Sequence, residues 1–188
     1  MNQVSQVVAD FHSAMRRVNP WKWFTLSALG VGSAVLTFAE SRLPEPSGRP
    51  LLSVSGAIDK THDGVQARLD LAYLDSLEQT EFVTSTPWVD EKRRFSGVLL
   101  RDLLRSLDAQ PNSIQVIALN DYIIDVPALM YLEKPMLLAT RIDGKSLRIR
   151  DRGPTLLIFP FDAAPEFISE AFYIRSVWQL KEIIVEAK

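Results

Sequence analysis

Two neighbouring runs decide how this chain is read: Thr84-Ser85-Thr86-Pro87-Trp88 and, after a charged interval, Phe95-Ser96-Gly97-Val98-Leu99-Leu100-Arg101-Asp102-Leu103-Leu104. The first closes a segment, residues 81–86, whose composition suits a strand and which stops at Pro87, a residue with no N–H to give to a ladder. In the second, Leu99, Leu100, Leu103, Leu104 and Leu107 recur at helical spacing, with Arg101, Asp102 and Arg105 on the other face. That is the stripe of an amphipathic helix. Between the two runs, Lys92, Arg93 and Arg94 read as a solvated loop.

Working outward, the body is a series of short strands. Residues 51–58 are apolar and β-branched, and Val65, Ala67, Leu69 and Leu71 alternate with polar neighbours, the period of a half-exposed strand. Residues 71–77 shift toward helical spacing. Residues 114–119, 122–126, 136–142, 147–150 and 155–159 are short apolar or alternating runs bounded by turn formers. Asp143-Gly144 between two of them is a hairpin signal. Residues 167–178 read as a short helix or irregular, and 183–185 as a closing strand. Many strands with few helices, in no regular alternation, predict an α+β domain built on a single mixed sheet. Its expected limits are 51–188, preceded by a Pro, Ser and Gly-bearing linker at 40–50.

The 188 residues have room for about one domain. Residues 24–39 carry no charge and no proline, follow Arg16, Arg17 and Lys22, and end on small residues. This is the pattern of an export signal cut after Ala39, or else of an N-terminal membrane anchor. Either places the body in the periplasm. Beyond residue 39, 18 basic groups face 22 acidic ones, which argues against binding nucleic acid or anionic lipid through bulk charge. The chain has no cysteine and two histidines, His12 and His62. Thiolate metal sites, iron–sulfur clusters and a cysteine nucleophile are excluded. His62 stands in a Thr-His-Asp-Gly turn with no nucleophile marked beside it, and no metal site is expected.

The two opening runs are followed by Asn120-Asp121-Tyr122, Arg150-Asp151-Arg152-Gly153-Pro154 and Trp178-Gln179-Leu180. In this order the motifs resemble the molybdopterin-binding domain of the sulfite-oxidase family, over about residues 51–187. Catalytic members hold molybdenum through a cysteine sulfur, and by its spacing to Trp88 that position falls at or near Thr84. A neutral hydroxyl is a far poorer ligand than a thiolate for such a soft, redox-active centre. The small, cysteine-free, exported form is similar to periplasmic proteins that bind a free pterin and report it to a membrane receptor with cyclic-di-GMP synthesis or breakdown domains. The resemblance therefore implies a sulfite-oxidase-like fold, a free pterin as ligand, a membrane sensory partner and no catalysis.

A pterin is flat, so it wants an aromatic or guanidinium face; its 2-amino and N3–H donors want a carboxylate, and its 4-oxo group a donor. Trp88 is the candidate stacker, its ordinary alternative being a core tryptophan. Asp121 is the candidate for the ring's donor edge, with Asn120 and Tyr122 beside it; the ordinary alternative is an Asn-Asp turn. Arg141 and Arg150 are candidate donors to the oxo group, or else surface ion pairs. Thr84 and Thr86 complete the candidate set. Arg152-Gly153-Pro154 reads as a turn, and Trp178, in an apolar run, as core. Two other functions stay open: a molybdopterin-dependent oxidoreductase or its remnant (or a hydrolase using Asp90 and Glu91), and a scaffold with a vestigial pocket.

Overall fold

A computed structural model describes residues 42–109 and 111–187; the apolar stretch at 24–39 lies outside the described residues. Among the described residues, ten strands and four short helices follow one another. They are β1 (Leu52–Gly56), β2 (Gln66–Leu69), α1 (Leu71–Ser76), β3 (Gln79–Thr86), β4 (Val89–Leu99), α2 (Leu100–Ser106), β5 (Ser113–Ala118) and β6 (Ile123–Pro127). Then come α3 (Ala128–Glu133), β7 (Leu137–Ile142), β8 (Lys145–Ser146), β9 (Leu156–Ile158), α4 (Glu170–Tyr173) and β10 (Leu180–Glu186).

The α+β class is as expected, but the single sheet is corrected to two. One sheet runs β2-β1-β10-β5-β6; the other runs β3-β4-β7-β8, with β9 also paired to β7. The first is mixed because β10, the last strand of the chain, lies parallel to β1 and antiparallel to β5. The second is antiparallel throughout. Which strands share a sheet is set by such long-range pairings, to which a period-two pattern is blind.

A second correction concerns Lys92, Arg93 and Arg94, which form no loop but the middle of β4. Arg93 pairs with Thr84 and Arg94 with Val83 across a β3–β4 ribbon closed at Thr86-Pro87-Trp88-Val89. The charged half of β4 is largely solvated on both faces, whereas Phe95, Gly97, Val98 and Leu99 are buried. Gly97 is required there, since a Cβ would overlap the backbone oxygen of Leu138.

Both sheets feed one apolar core. Val54, Ile114, Val116 and Ile183 come from the first, Val98, Leu138 and Leu157 from the second, and Leu100, Leu103 and Leu104 from α2. The Asp143-Gly144 signal is the β7–β8 turn, both residues having positive φ (50° and 75°), as a tight hairpin of this kind requires. The run at 147–150 instead passes into a 3₁₀ turn, Ile149–Asp151.

The segment read as a linker is tied to the domain where it is described. Leu43 N–H donates to the Thr61 carbonyl at 2.8 Å, and Leu43 itself is buried. His62, also buried, accepts at Nδ1 from the Arg68 N–H at 3.0 Å, so its Nε2–H donates to the Pro44 carbonyl at 2.9 Å. Both ring nitrogens are thus committed to backbone. Asp70 caps α1 by accepting from the Tyr73 N–H at 2.9 Å. It also accepts from the Ser47 hydroxyl at 2.9 Å and the Gly48 N–H at 2.7 Å. One buried carboxylate thus satisfies a helix start and fastens the strap.

Candidate functional site

A cleft of about 770 Å³ opens where the β3–β4 turn meets the segment from Lys145 to Arg152. Thr86, Trp88, Glu91 and Arg93 line one side; Lys145, Arg148, Arg150, Asp151 and Arg152 line the other; Phe95, Ile142 and Leu156 form apolar parts of the wall. The volume is in the range of small-molecule sites, and charged side chains make up about half of the lining.

Local geometry places each wall. Thr86 Oγ1 accepts from the N–H groups of Trp88 (3.3 Å) and Val89 (3.0 Å), which closes the turn presenting the Trp88 indole. Arg152 adopts a left-handed conformation (φ 70°) at the end of the 3₁₀ turn, and its carbonyl accepts from the Gln179 N–H at 2.9 Å. Gly153 N–H donates to the Arg148 carbonyl at 2.9 Å, and a Cβ on Gly153 would fall 2.6 Å from Leu147 Cβ. Only glycine lets the chain pass there.

Trp178, read from sequence as core, is corrected: it is 37% exposed. Its ring stacks on Trp88 with centroids 5.4 Å apart and planes inclined by 24°. The Arg152 guanidinium lies 4.8 Å from the Trp178 centroid and 5.6 Å from that of Trp88, inside cation–π range. Arg152 therefore does more than turn the chain. Sequence missed this pair because Trp178 follows the buried Val177 and only the positive φ of Gln179 (52°) interrupts an otherwise strand-like run.

The candidate residues separate. Trp88, Thr86 and Arg150 lie at the cleft; Thr84, Asn120, Asp121, Tyr122 and Arg141 are not among its lining residues. Thr84 is fully buried, and its Oγ1 accepts from the Asp162 N–H at 3.1 Å. Asn120 Oδ1 accepts from the Tyr122 N–H at 3.2 Å, and the Tyr122 hydroxyl donates to the Ile174 carbonyl at 2.9 Å. Asp121, in the β5–β6 turn with φ 63°, pairs with Lys181 at 2.6 Å, and Lys181 holds its carboxyl below the usual carboxylate range. Arg141 is clamped by both carboxylate oxygens of Asp75 at 2.6 Å, which raises its pKa. The Asn-Asp motif thus serves a turn, and Arg141 an ion pair.

Two carboxylates line the cleft. Asp151 accepts from Arg148 Nε at 2.6 Å, whereas Glu91 has only a 3.5 Å contact with Arg93, so Glu91 is the freer acceptor. Asp162, beside the cleft's β3 wall, accepts from the Ser85 N–H and hydroxyl and lies 3.3 Å from Lys92. These contacts, the Ser85 N–H first, hold its carboxyl below the ordinary range.

The donor set does not suit molybdenum. The chain has no thiolate, the Thr84 hydroxyl is buried and accepts from backbone, and no three His, Asp or Glu side chains gather as ligands among the described residues.

No protein-family model and no curated protein matches the sequence. Among solved structures, the chain is similar to the sulfane dehydrogenase SoxCD of Paracoccus pantotrophus, with a TM-score of 0.55 and 14% identity over 74% of this chain. The match spans only 38% of that chain's length. At this identity the likeness is one of fold.

Proposed function

We propose that this protein is a non-catalytic, periplasmic binding protein for a flat nitrogen-rich ring, a free pterin. In this reading it reports occupancy to a membrane sensory partner, such as a receptor that makes or degrades cyclic di-GMP. The observation that carries the reading is that Trp88 and Arg152 line a cleft of about 770 Å³, with Trp178 stacked on Trp88 and lying against Arg152. An indole at the cleft suits a π-ring ligand, and Glu91 supplies a carboxylate for the ring's 2-amino and N3–H edge. Arg150 supplies a donor for the 4-oxo group.

The non-catalytic part rests on residue chemistry. Catalytic members of the resembled family hold molybdenum through a cysteine thiolate that this sequence lacks, and Thr84, at or near the position the resemblance assigns to it, is turned into the protein. The open cleft also favours ligand binding over a scaffold with a filled pocket.

The test is titration of the full chain with reduced and oxidised pterins, followed by heat and by tryptophan fluorescence. Saturable binding with indole quenching, unaffected by a metal chelator, is the expected result. Trp88→Ala should weaken it by about 3- to 10-fold, the worth of one stacking contact. Neither heat nor spectral change at millimolar pterin overturns the reading.

A further inference from the structure

We propose that the cleft selects a ring bearing a negatively charged substituent, and that Arg152 is the residue that reads that charge. The inference rests on the flat-ring reading of the cleft and adds to it a class of ligand.

The cleft is rich in cations. Lys145, Arg148, Arg150 and Arg152 reach it from one short segment and Arg93 from β4, against Glu91 and Asp151. Their charges are not equally available. Arg93 Nε is held by Asp143 at 2.6 Å, and Arg148 Nε by Asp151 at 2.6 Å. Arg150 reaches Asp151 only at 3.9 Å. Among the described residues, Lys145 and Arg152 form no ion pair.

Of these two, Arg152 is the one fixed in place. Its carbonyl is bonded to Gln179, the following glycine is wedged against Leu147, and its guanidinium lies on both indoles. A guanidinium held against aromatic rings still carries its N–H donors, which match a carboxylate or phosphate in a two-pronged bond. A ring stacked on the same aromatic wall therefore presents its substituent to the edge of a cation that no protein carboxylate has claimed. An uncharged substituent leaves that cation without an anion. This preference is a property of Arg152 and not of the stack alone.

The experiment compares three probes on the full chain: 6-hydroxymethylpterin, which is uncharged in its side chain, pterin-6-carboxylate, and the phosphate ester of hydroxymethylpterin. The wild type is expected to bind one or both charged probes at least about 10-fold more tightly than the neutral one, the scale of a charge-assisted hydrogen bond. The two charged arms show whether carboxylate or phosphate is the better fit. That preference should shrink as salt is raised. Arg152→Gln should bring charged and neutral probes within about 2-fold of each other, and Arg152→Lys should restore part of the difference, as expected for a charge that is read and not merely packed. Equal wild-type affinities for charged and neutral probes overturn the inference while leaving the flat-ring reading intact, as does a preference that survives in Arg152→Gln. If that variant fails to fold, the wild-type ratio and its salt dependence still decide. Failure of all three probes to bind brings down the flat-ring reading, and this inference with it.

Discussion

Trp88 and Trp178 stack at 5.4 Å between centroids although one sits in the β3–β4 turn and the other just before the last strand. Their contact joins the two sheets at the rim of the cleft, because Trp88 follows β3 of one sheet and Trp178 precedes β10 of the other. Trp178 also makes an isolated bridge to Leu156 at the start of β9. The pair therefore ties the two sheets together, and Trp88, which lines the cleft, is the member proposed to meet a ligand.

These two roles separate in a double-mutant cycle. Trp88→Ala and Trp178→Ala should each destabilise the fold, and the double variant should cost less than their sum by about 1 kcal/mol, the usual worth of an aromatic pair. Urea unfolding of the four proteins checks this. Additive losses would mean that the rings touch without supporting one another.

Asp121 is a case where motif and geometry part. Its side chain is 81% exposed and bound to Lys181, and it is not among the residues that line the cleft. Asp121→Asn should leave pterin affinity unchanged within about 2-fold and thermal stability little changed, as for an exposed ion pair. Calorimetric titration and thermal unfolding measure both. A large loss of affinity would put Asp121 back at the ligand.

Asp70 makes stability depend on acid. Its bond from the Tyr73 N–H, with those from Gly48 and Ser47, holds its carboxyl below the ordinary aspartate value of 3.8. In the unfolded chain the same group takes its proton at the ordinary value, so over the interval below it the unfolded state binds more protons. The contribution of Asp70 is complete above the ordinary aspartate range and lost as pH falls through the lower, folded value. Asp70→Asn should be less stable than wild type by about 1–3 kcal/mol at pH 7, from a weakened cap and two weakened charge-assisted bonds. The two proteins should converge in strong acid. Urea midpoints across that pH range test the sign. A constant gap would show that shape, not charge, fastens the strap.

What could be read in the sequence was local. The leucine stripe gave α2 nearly residue for residue, and Asp143-Gly144 marked its hairpin, because spacing and turn chemistry act within a few residues. The β4 strand was hidden because a ribbon solvated on both faces needs no alternation, so Lys92-Arg93-Arg94 looked like loop. Helix α3 was likewise unmarked: its N-cap position is Pro127, with no side-chain cap, and only Tyr131 is fully buried. At the site, Trp88 and Arg150 were legible as types suited to a flat ligand. Trp178 and Arg152 were not, since their placement depends on left-handed backbone at Gln179 and Arg152 and on pairing across the whole domain.

That dependence on backbone makes Gly153 a sharp probe of the cleft. An added Cβ would stand 2.6 Å from Leu147 Cβ and 2.7 Å from the Leu147 carbonyl carbon and oxygen. Backbone, not a flexible side-chain tip, would have to yield. Gly153→Ala should therefore cost about 1–3 kcal/mol, as overpacking of a close contact does. The displaced atoms belong to the segment that carries Arg152 and Arg150, so the damage should reach the cleft. Guanidinium and indole would separate, and the tryptophan emission should shift even without ligand. Thermal unfolding and fluorescence of the purified variant measure the two effects together. Lost stability with unchanged emission would mean that the strain is absorbed toward Leu147, leaving Arg152 on its indoles.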